Sequence, residues 1–154
     1  MSNVVFPAPK KPIAILGNLP YAITSPIFEK LLAWPHWDRG VFLIQREVAE
    51  RMASAPGSKQ FGILSLAVQL FADAEKILVV KPGAFLPPPE VDSAVIRLRR
   101  KESTGLSAEE TVAFFDFAHG AYAHRRKTLA NSLALHTQLE RAQVAQWLEK
   151  QGIN

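Results

Sequence analysis

The feature that most constrains this chain is a short apolar run that ends in a polar turn. Residues 13–17 are Ile-Ala-Ile-Leu-Gly, and the sequence Asn-Leu-Pro-Tyr follows at 18–21. An apolar run of this length with β-branched Ile, closed by Gly, is typical of a strand that is buried on both faces. Ser25 is a favourable N-cap and Pro26 a favourable first helical residue, so a helix is predicted to start there. The turn is therefore predicted at the carboxyl end of a strand, where open α/β sheets bind their ligands.

The turn carries groups that suit a planar ring with an amine. The amide oxygen of Asn18 and the carbonyl of Leu19 could accept hydrogen bonds from the exocyclic amine of adenine, whose lone pair is otherwise delocalised into the ring. Pro20 would stiffen the turn, and Tyr21 could stack on an unpaired base. Positioning would carry most of the chemistry, without a strong general base. The alternative is that Asn18 and Pro20 only shape a turn and that Tyr21 lies in the core.

Two further motifs follow in order along the chain. Residues 85–93 read Phe-Leu-Pro-Pro-Pro-Glu-Val-Asp-Ser, and residues 124–133 read His-Arg-Arg-Lys-Thr-Leu-Ala-Asn-Ser-Leu. Together with residues 18–21 they make the chain resemble the ribosomal RNA adenine N6,N6-dimethyltransferase family from about Ile13 to the end. This family methylates small-subunit rRNA with S-adenosylmethionine as the methyl donor. Three separated motifs in one order are far more specific than one alone.

The resemblance implies a role for several of these residues. Asn18 would position the target amine and touch the edge of the cofactor, while Tyr21 and Phe85 would sandwich the adenine after it is unstacked. Lys59 lies in a loop that the family places near the substrate, which makes it a candidate phosphate contact. On the residues alone, Phe85 could equally be a core aromatic. Asp92 is expected to fix the loop through side-chain-to-backbone hydrogen bonds, as is the Ser that follows it.

The pattern of apolar runs predicts the α/β class. The resemblance makes it the C-terminal half of a Rossmann-like class I methyltransferase sheet, followed by a small all-helical domain. The prolines at 87–89 favour an antiparallel return of the last strand, which the family inserts into a parallel sheet. Strands are predicted at 13–17, 40–45, 74–80 and 91–98, with helices at 26–34 and 61–71, and residues 46–52 are predicted to form one or two helical turns.

A domain boundary is predicted after residue 102. Residues 1–102 would be a partial S-adenosylmethionine-dependent methyltransferase domain, and residues 103–154 an incomplete helical rRNA-binding domain. Ser107 and Glu110 have the spacing of a capping box at a helix start. Further helices are predicted at 126–135 and 139–151, the last one ending at Gly152.

The basic segment at 124–127 is predicted at a helix start, where the dipole disfavours cations. Arg125, Arg126 and Lys127 are therefore candidates to bind RNA phosphates, since Arg forks suit that task. The alternative is a solvated surface turn. The net charge of +4 does not decide between them, because the cationic excess lies in the first hundred residues.

The glycine content is the main departure from the family. The chain has eight Gly, and none forms the Gly-rich cluster that holds the methionine part of the cofactor. The sequence is therefore expected to be a fragment, or to start too far downstream, and to lack most of the cofactor site. Two rival functions remain: a non-catalytic RNA-binding module, and a methyltransferase that acts on DNA or another amine. The sheet edge exposed by the missing strands could support self-association.

Composition sets the remaining expectations. The chain contains no Cys and four scattered His, so a metal site is not expected. No apolar run reaches the roughly 18 residues of a membrane span, and the first residues lack a signal-peptide pattern. The resemblance implies a cytoplasmic protein that acts on the 30S pre-ribosomal particle.

Overall fold

The computed structural model describes residues 9–124 and 126–153. The chain forms two compact units that divide between Thr104 and Gly105, close to the boundary predicted after residue 102. Within the described residues, no helix combines the length and apolarity needed to cross a membrane.

The first unit is a four-stranded sheet with three α-helices. Its strands are β1 (Ile13–Asn18), β2 (Trp37–Gln45), β3 (Ala72–Val80) and β4 (Ser93–Arg100). Its helices are α1 (Thr24–Ala33), α2 (Arg46–Met52) and α3 (Ile63–Phe71), with 3-10 turns at Tyr21–Ile23 and Pro82–Ala84.

The strand order is β1-β2-β4-β3. β1 and β2 are parallel and are joined through α1. β4 lies between β2 and β3 and is antiparallel to both. This arrangement confirms the predicted α/β class and the inverted strand, because a connection that contains Pro87–Pro89 reverses the chain between β3 and β4.

One face of the sheet carries the core. Along β4, the side chains of Ala94, Ile96 and Leu98 are fully buried, whereas Arg97 and Arg99 point to the exposed face. Helices α1, α2 and α3 contribute side chains to the same apolar cluster as these residues. This period-two alternation is what a sheet covered on one face requires.

The prediction that β1 is buried on both faces is wrong. Leu16 is 85% exposed, and Ile13 is 39% exposed. Among the described strands, β1 pairs only with β2, and the helices pack on the face that carries Phe42 and Ile96. An apolar run therefore forms a strand here without being covered by the described part of the chain.

The predicted start of α1 is also wrong. The helix begins at Thr24, and Ile23 rather than Ser25 occupies the N-cap without a side-chain cap bond. The preceding 3-10 turn already shapes the chain for the helix, and Thr24 Oγ1 donates to the carbonyl of Pro20 over 3.1 Å. This hydrogen bond ties the first residue of the helix to the turn, while the N-cap itself makes no side-chain bond.

β2 begins three residues earlier than predicted. Trp37, which precedes the predicted strand, is the first residue of the observed strand and is 1% exposed. Its indole Nε1–H donates to the carbonyl of Leu31 over 2.8 Å, and the Arg100 guanidinium lies 5.3 Å from its ring centroid. Burial of the large indole with a satisfied donor explains why the strand extends to this point.

The second unit contains α4 (Ala108–Tyr122), α5 (Leu129–Thr137) and α6 (Arg141–Lys150). The capping box is confirmed, since Ser107 and Glu110 exchange hydrogen bonds of 2.7 and 3.1 Å. Gly152 follows α6 with φ +74°, and Ile153 N–H donates back to the carbonyl of Leu148 over 3.0 Å. This is the hydrogen-bond pattern of a glycine-terminated helix.

Helix α5 begins later than predicted. Thr128 is its N-cap and accepts a hydrogen bond from the Asn131 N–H, so the helix starts at Leu129 rather than Arg126. The core of this unit is formed by Leu133, Val144 and Leu148. The basic segment therefore precedes the helix instead of forming its first turn.

Candidate active site at the carboxyl edge of the sheet

The turn at 18–21 is tied to the sheet at its first residues. Asn18 is the last residue of β1 and lies opposite Leu43 of β2. The Leu19 N–H donates to the Leu43 carbonyl over 3.1 Å. The turn consequently starts at the carboxyl edge of two parallel strands, which is the position that the sequence predicts.

Hydrogen bonds within the turn leave two acceptors unused. The Pro20 carbonyl accepts from the Ile23 N–H over 3.2 Å and from Thr24 Oγ1 over 3.1 Å. No described residue donates to the Asn18 side chain or to the Leu19 carbonyl. The Asn18 side chain is also exposed. These are the two oxygens that the sequence predicts to accept hydrogen bonds from an amine.

Tyr21 is held by a residue 72 positions further along the chain. Its hydroxyl shares a hydrogen bond of 2.6 Å with the hydroxyl of Ser93, the first residue of β4. Ser93 is fully buried and lies opposite Gln45 of β2 and Val80 of β3. Tyr21 itself is half-buried. The first and second motifs are thus joined directly.

Phe85 lies in the loop between β3 and β4. It follows the 3-10 turn at 82–84, and its N–H donates to the Pro82 carbonyl over 3.1 Å. Phe85 is half-buried, while the next residue, Leu86, is 97% exposed. The loop therefore projects from the sheet and carries its aromatic residue next to an exposed segment.

Asp92 closes this loop at its base. Its carboxylate accepts a hydrogen bond from Lys81 Nζ over 2.8 Å and another from Arg46 Nη1 over 2.9 Å. The backbone N–H of Arg46 also donates to the Asp92 carbonyl over 2.9 Å. The expectation of side-chain-to-backbone bonds is wrong for Asp92 and for Ser93, because both side chains bond to other side chains.

The ion pairs of Asp92 extend to residues of helix α2. Arg46 Nε lies 3.6 Å from Glu50 Oε1, which in turn accepts from Lys76 Nζ over 2.9 Å. The Lys81 hydrogen bond, aided by the charges of Lys81 and Arg46, lowers the pKa of Asp92 below its ordinary value. The Lys76 hydrogen bond likewise lowers the pKa of Glu50. Both carboxylates are therefore held ionised within one alternating network.

A shallow cavity lies beside this network. It has a volume of about 290 Å³ and is lined by Gln45, Arg46, Glu47, Val91 and Asp92. One lining residue, Gln45, lies opposite Ser93 in the sheet. The described residues contain no cluster of three or more His, Asp or Glu side chains able to ligate a metal ion.

Two of the candidate RNA contacts lie in the second unit. Arg126 and Lys127 are exposed in the segment before Thr128, where the Lys127 N–H donates to the His124 carbonyl over 2.8 Å. Arg125 lies outside the described residues. Lys59, which belongs to the first unit, is exposed in the loop between α2 and α3.

The sequence did not indicate that Arg46 and Lys81 bind Asp92, or that Ser93 bonds to Tyr21. The sequence shows two local i,i+4 pairs in α2, Glu47 with Arg51 at 3.9 Å and Arg46 with Glu50 at 3.6 Å. Arg46 and Asp92 are 46 positions apart and meet because β2 and β4 are neighbours. The sequence does carry a signal for this network. Asp92 directly precedes β4, and Arg46 and Lys81 directly follow β2 and β3, the two strands that flank β4.

Comparison with known proteins places this arrangement in a family. The sequence profile of the family described as ribosomal RNA adenine dimethylase matches residues 4–154. The ribosomal RNA small subunit methyltransferase A of Macrococcus caseolyticus is 39% identical over 145 residues, which are 92% of this chain and 49% of that protein. Other curated relatives are covered to a similar extent, so the chain spans about half the length of the relatives it matches.

Two solved structures share the fold. A dimethyladenosine transferase from Plasmodium falciparum superposes with a TM-score of 0.76 at 28% identity, covering 99% of this chain and 55% of that one. The 23S rRNA methyltransferase ErmE superposes with a TM-score of 0.70 at 25% identity, covering 98% of this chain and 60% of that one. On the strength of the matched profile and the shared fold, this chain belongs to the ribosomal RNA adenine dimethylase family.

Proposed function

We propose that this chain supplies the base-holding part of an S-adenosylmethionine-dependent methyltransferase that dimethylates adenine N6 in small-subunit rRNA. One observation carries the proposal. The Asn18 side-chain oxygen and the Leu19 carbonyl have no donor among the described residues, and they lie in the same turn as the half-buried Tyr21. Two acceptors beside an aromatic surface suit a flat purine that bears an amine.

The proposed chemistry follows from the groups that the turn and the Phe85 loop carry. The two oxygens would each accept one hydrogen of the amine, which favours the pyramidal form whose lone pair can attack. Tyr21 and Phe85 would hold the two faces of the unstacked base. The bound cofactor supplies an electrophilic methyl group on a sulfonium. Positioning of the amine then accounts for the rate, in keeping with a turn that contains no titratable base.

The residues present fit one side of a cofactor site. Asn18, exposed at the carboxyl end of β1, would contact the edge of S-adenosylmethionine that faces the target base. The eight Gly of the sequence are dispersed and offer no glycine-rich loop for the methionine end. The chain thus provides the acceptor side of the reaction and one cofactor contact.

RNA would be held by cations in both units. Arg125, Arg126 and Lys127 would bind backbone phosphates, and Lys59 would add a contact from the first unit. The partner would be rRNA within the 30S pre-ribosomal particle, which places the protein in the cytoplasm. The exposed edge of β1, with Leu16 open to solvent, also offers a surface for self-association.

A second candidate function is a non-catalytic RNA-binding module. It is favoured by one observation, namely that Arg126 and Lys127 are exposed, because such cations can bind phosphates without any cofactor. Such a module would bind RNA through the basic segment and the aromatic residues but would transfer no methyl group.

Cofactor binding separates the two functions. Calorimetric titration with S-adenosylmethionine should give no measurable binding to this chain, and binding to a chimera that adds the upstream half of the Macrococcus caseolyticus relative. The chimera should also transfer tritiated methyl groups to small-subunit rRNA. A chimera that binds cofactor and RNA yet transfers nothing would favour the module. Equal cofactor binding by both proteins would contradict the one-sided site.

Self-association is tested by sedimentation velocity. The chain should associate with rising concentration, and Leu16→Lys should reduce that association by placing a charge on the exposed strand. Arg39→Glu on the neighbouring strand serves as a control for charge alone. If Leu16→Lys and the unsubstituted chain sediment identically, β1 is not the surface through which the chain associates.

A further inference from the structure

We infer that Asp92 and Ser93 together are positioning residues that set the spacing of the two aromatic rings at the site. This inference rests on the proposed function, because it assumes that Tyr21 and Phe85 hold a base between them. Each of the two adjacent residues anchors one ring. Ser93 bonds to Tyr21 itself, and Asp92 closes the loop that carries Phe85.

Ser93 fixes the outer end of the Tyr21 ring. The serine is fully buried, and pairing with β2 and β3 on both sides holds its backbone. Its hydroxyl can therefore move little. The backbone of Tyr21 is fixed by the 3-10 turn after Pro20, and its hydroxyl is 2.6 Å from Ser93 Oγ. A ring held at its Cα and at its hydroxyl keeps one orientation.

Asp92 fixes the base of the Phe85 loop. Lys81 is the residue before the 3-10 turn that leads to Phe85, and Asp92 precedes β4, so their ion pair joins the two ends of the loop. Arg46 adds a second clamp, since its N–H bonds the Asp92 carbonyl and its guanidinium bonds the carboxylate. The exposed middle of the loop, with Leu86 at 97% exposure, contributes little packing of its own.

Because Asp92 and Ser93 are consecutive, one peptide unit links the two anchors. The position of Phe85 relative to Tyr21 then depends on this short connection rather than on packing between the rings. Removing either anchor would let one ring rotate or drift while leaving the apolar core of the sheet intact. The expected consequence is weaker stacking on the base, with the phosphate contacts preserved.

The test uses the 154-residue chain and a short single-stranded RNA that carries 8-vinyladenine, which keeps the 6-amine, at one adenine and fluorescein at its 5′ end. Stacking quenches 8-vinyladenine fluorescence, and anisotropy of the fluorescein reports RNA affinity. Ser93→Ala and Tyr21→Phe remove the same hydrogen bond from opposite sides. Each should lower the stacked-to-unstacked ratio by about three- to tenfold, as expected for one hydrogen bond. The double variant should lower it no further.

Asp92→Asn should lower the same ratio by about two- to fivefold, because a neutral amide keeps the shape but weakens both charge-assisted hydrogen bonds. RNA affinity should stay within about twofold for all of these variants, since the phosphate contacts are untouched. Two matched controls should leave the ratio unchanged. Ser65→Ala removes another fully buried serine hydroxyl of the first unit, and Glu75→Gln neutralises another exposed ion pair between β3 and β4.

Each result bears on a different claim. If Tyr21→Ala abolishes quenching but Ser93→Ala and Asp92→Asn do not reduce it, the inference fails and the proposed function stands. If the unsubstituted chain does not quench the probe, the base-holding proposal and this inference both fail. Equal reductions in Ser65→Ala and Ser93→Ala would assign the effect to general destabilisation and overturn the positioning role.

Discussion

The turn at residues 18–21 and the basic segment at 124–127 are built in opposite ways. The turn is held by hydrogen bonds to residues far along the chain, including one that spans 72 positions from Tyr21 to Ser93. In the described part of the basic segment, the backbone bond is local and joins Lys127 to His124. The difference matches the tasks proposed for them. Holding a base requires fixed ring positions, whereas binding phosphates requires charge within reach.

The largest effect is expected from Tyr21→Ala. In the chimera that binds cofactor, this change should reduce methyl transfer by about 10- to 100-fold, because base–aromatic stacking contributes roughly 1–3 kcal/mol. RNA affinity should remain within about threefold, since phosphate contacts dominate it. Methyl transfer and filter binding measure the two quantities. The control is Tyr122→Ala, which changes the chain's other tyrosine, located in helix α4.

A comparable reduction of transfer, affinity and thermal stability in Tyr21→Ala would point to unfolding. The contrast between the two regions would then lose its basis, because the turn would act through stability instead of base contact.

A smaller effect is expected when the basic segment is neutralised. Changing Arg125, Arg126 and Lys127 to Ala should weaken RNA binding by about tenfold at low salt. It should also flatten the dependence of log affinity on log salt by roughly 0.7 for each phosphate that is no longer neutralised. Methyl transfer at saturating RNA should hardly change. Arg97→Ala, at an exposed cation on the sheet, is a matched control. An unchanged salt slope would show that the segment is only a solvated turn.

The pH dependence of the Asp92 network should be modest and have a defined sign. The pKa of Asp92 is lowered by folding, so its contribution to stability is fully present above the ordinary value of 3.8 and is lost as pH falls through the lower folded value. The melting temperature of the unsubstituted chain should therefore exceed that of Asp92→Asn at neutral pH, and the gap should close in acid. A gap that widens as the pH falls below that value would contradict the ion-pair assignment.

The smallest effect is expected at Lys59. Lys59→Ala should lower RNA affinity by about twofold, as for one phosphate contact at the surface. Lys30→Ala, on the exposed side of α1, gives the comparison for removal of a cation elsewhere in the same unit. Equal affinities of Lys59→Ala and the unsubstituted chain would limit RNA binding to the other candidates.

Local patterns predicted many elements because their causes are local. The capping box at Ser107 depends on residues three positions apart, and Gly152 ends α6 because a φ of +74° favours a residue without Cβ. Boundaries failed where distant residues decided them. Trp37 joined β2 because its indole is buried and bonded to Leu31, and α1 began at Thr24 because its hydroxyl bonds back into the turn.

What the sequence by itself determined was the order of strands and helices, the α/β class and the three motifs that identify the family, since periodicity and residue type are written in consecutive positions. Only the tertiary structure decided that β1 is exposed, that Ser93 meets Tyr21 and that Asp92 joins Lys81 to Arg46. These outcomes depend on which strands become neighbours and which face the helices cover. Residues far apart in the chain set that choice together, and no single segment encodes it.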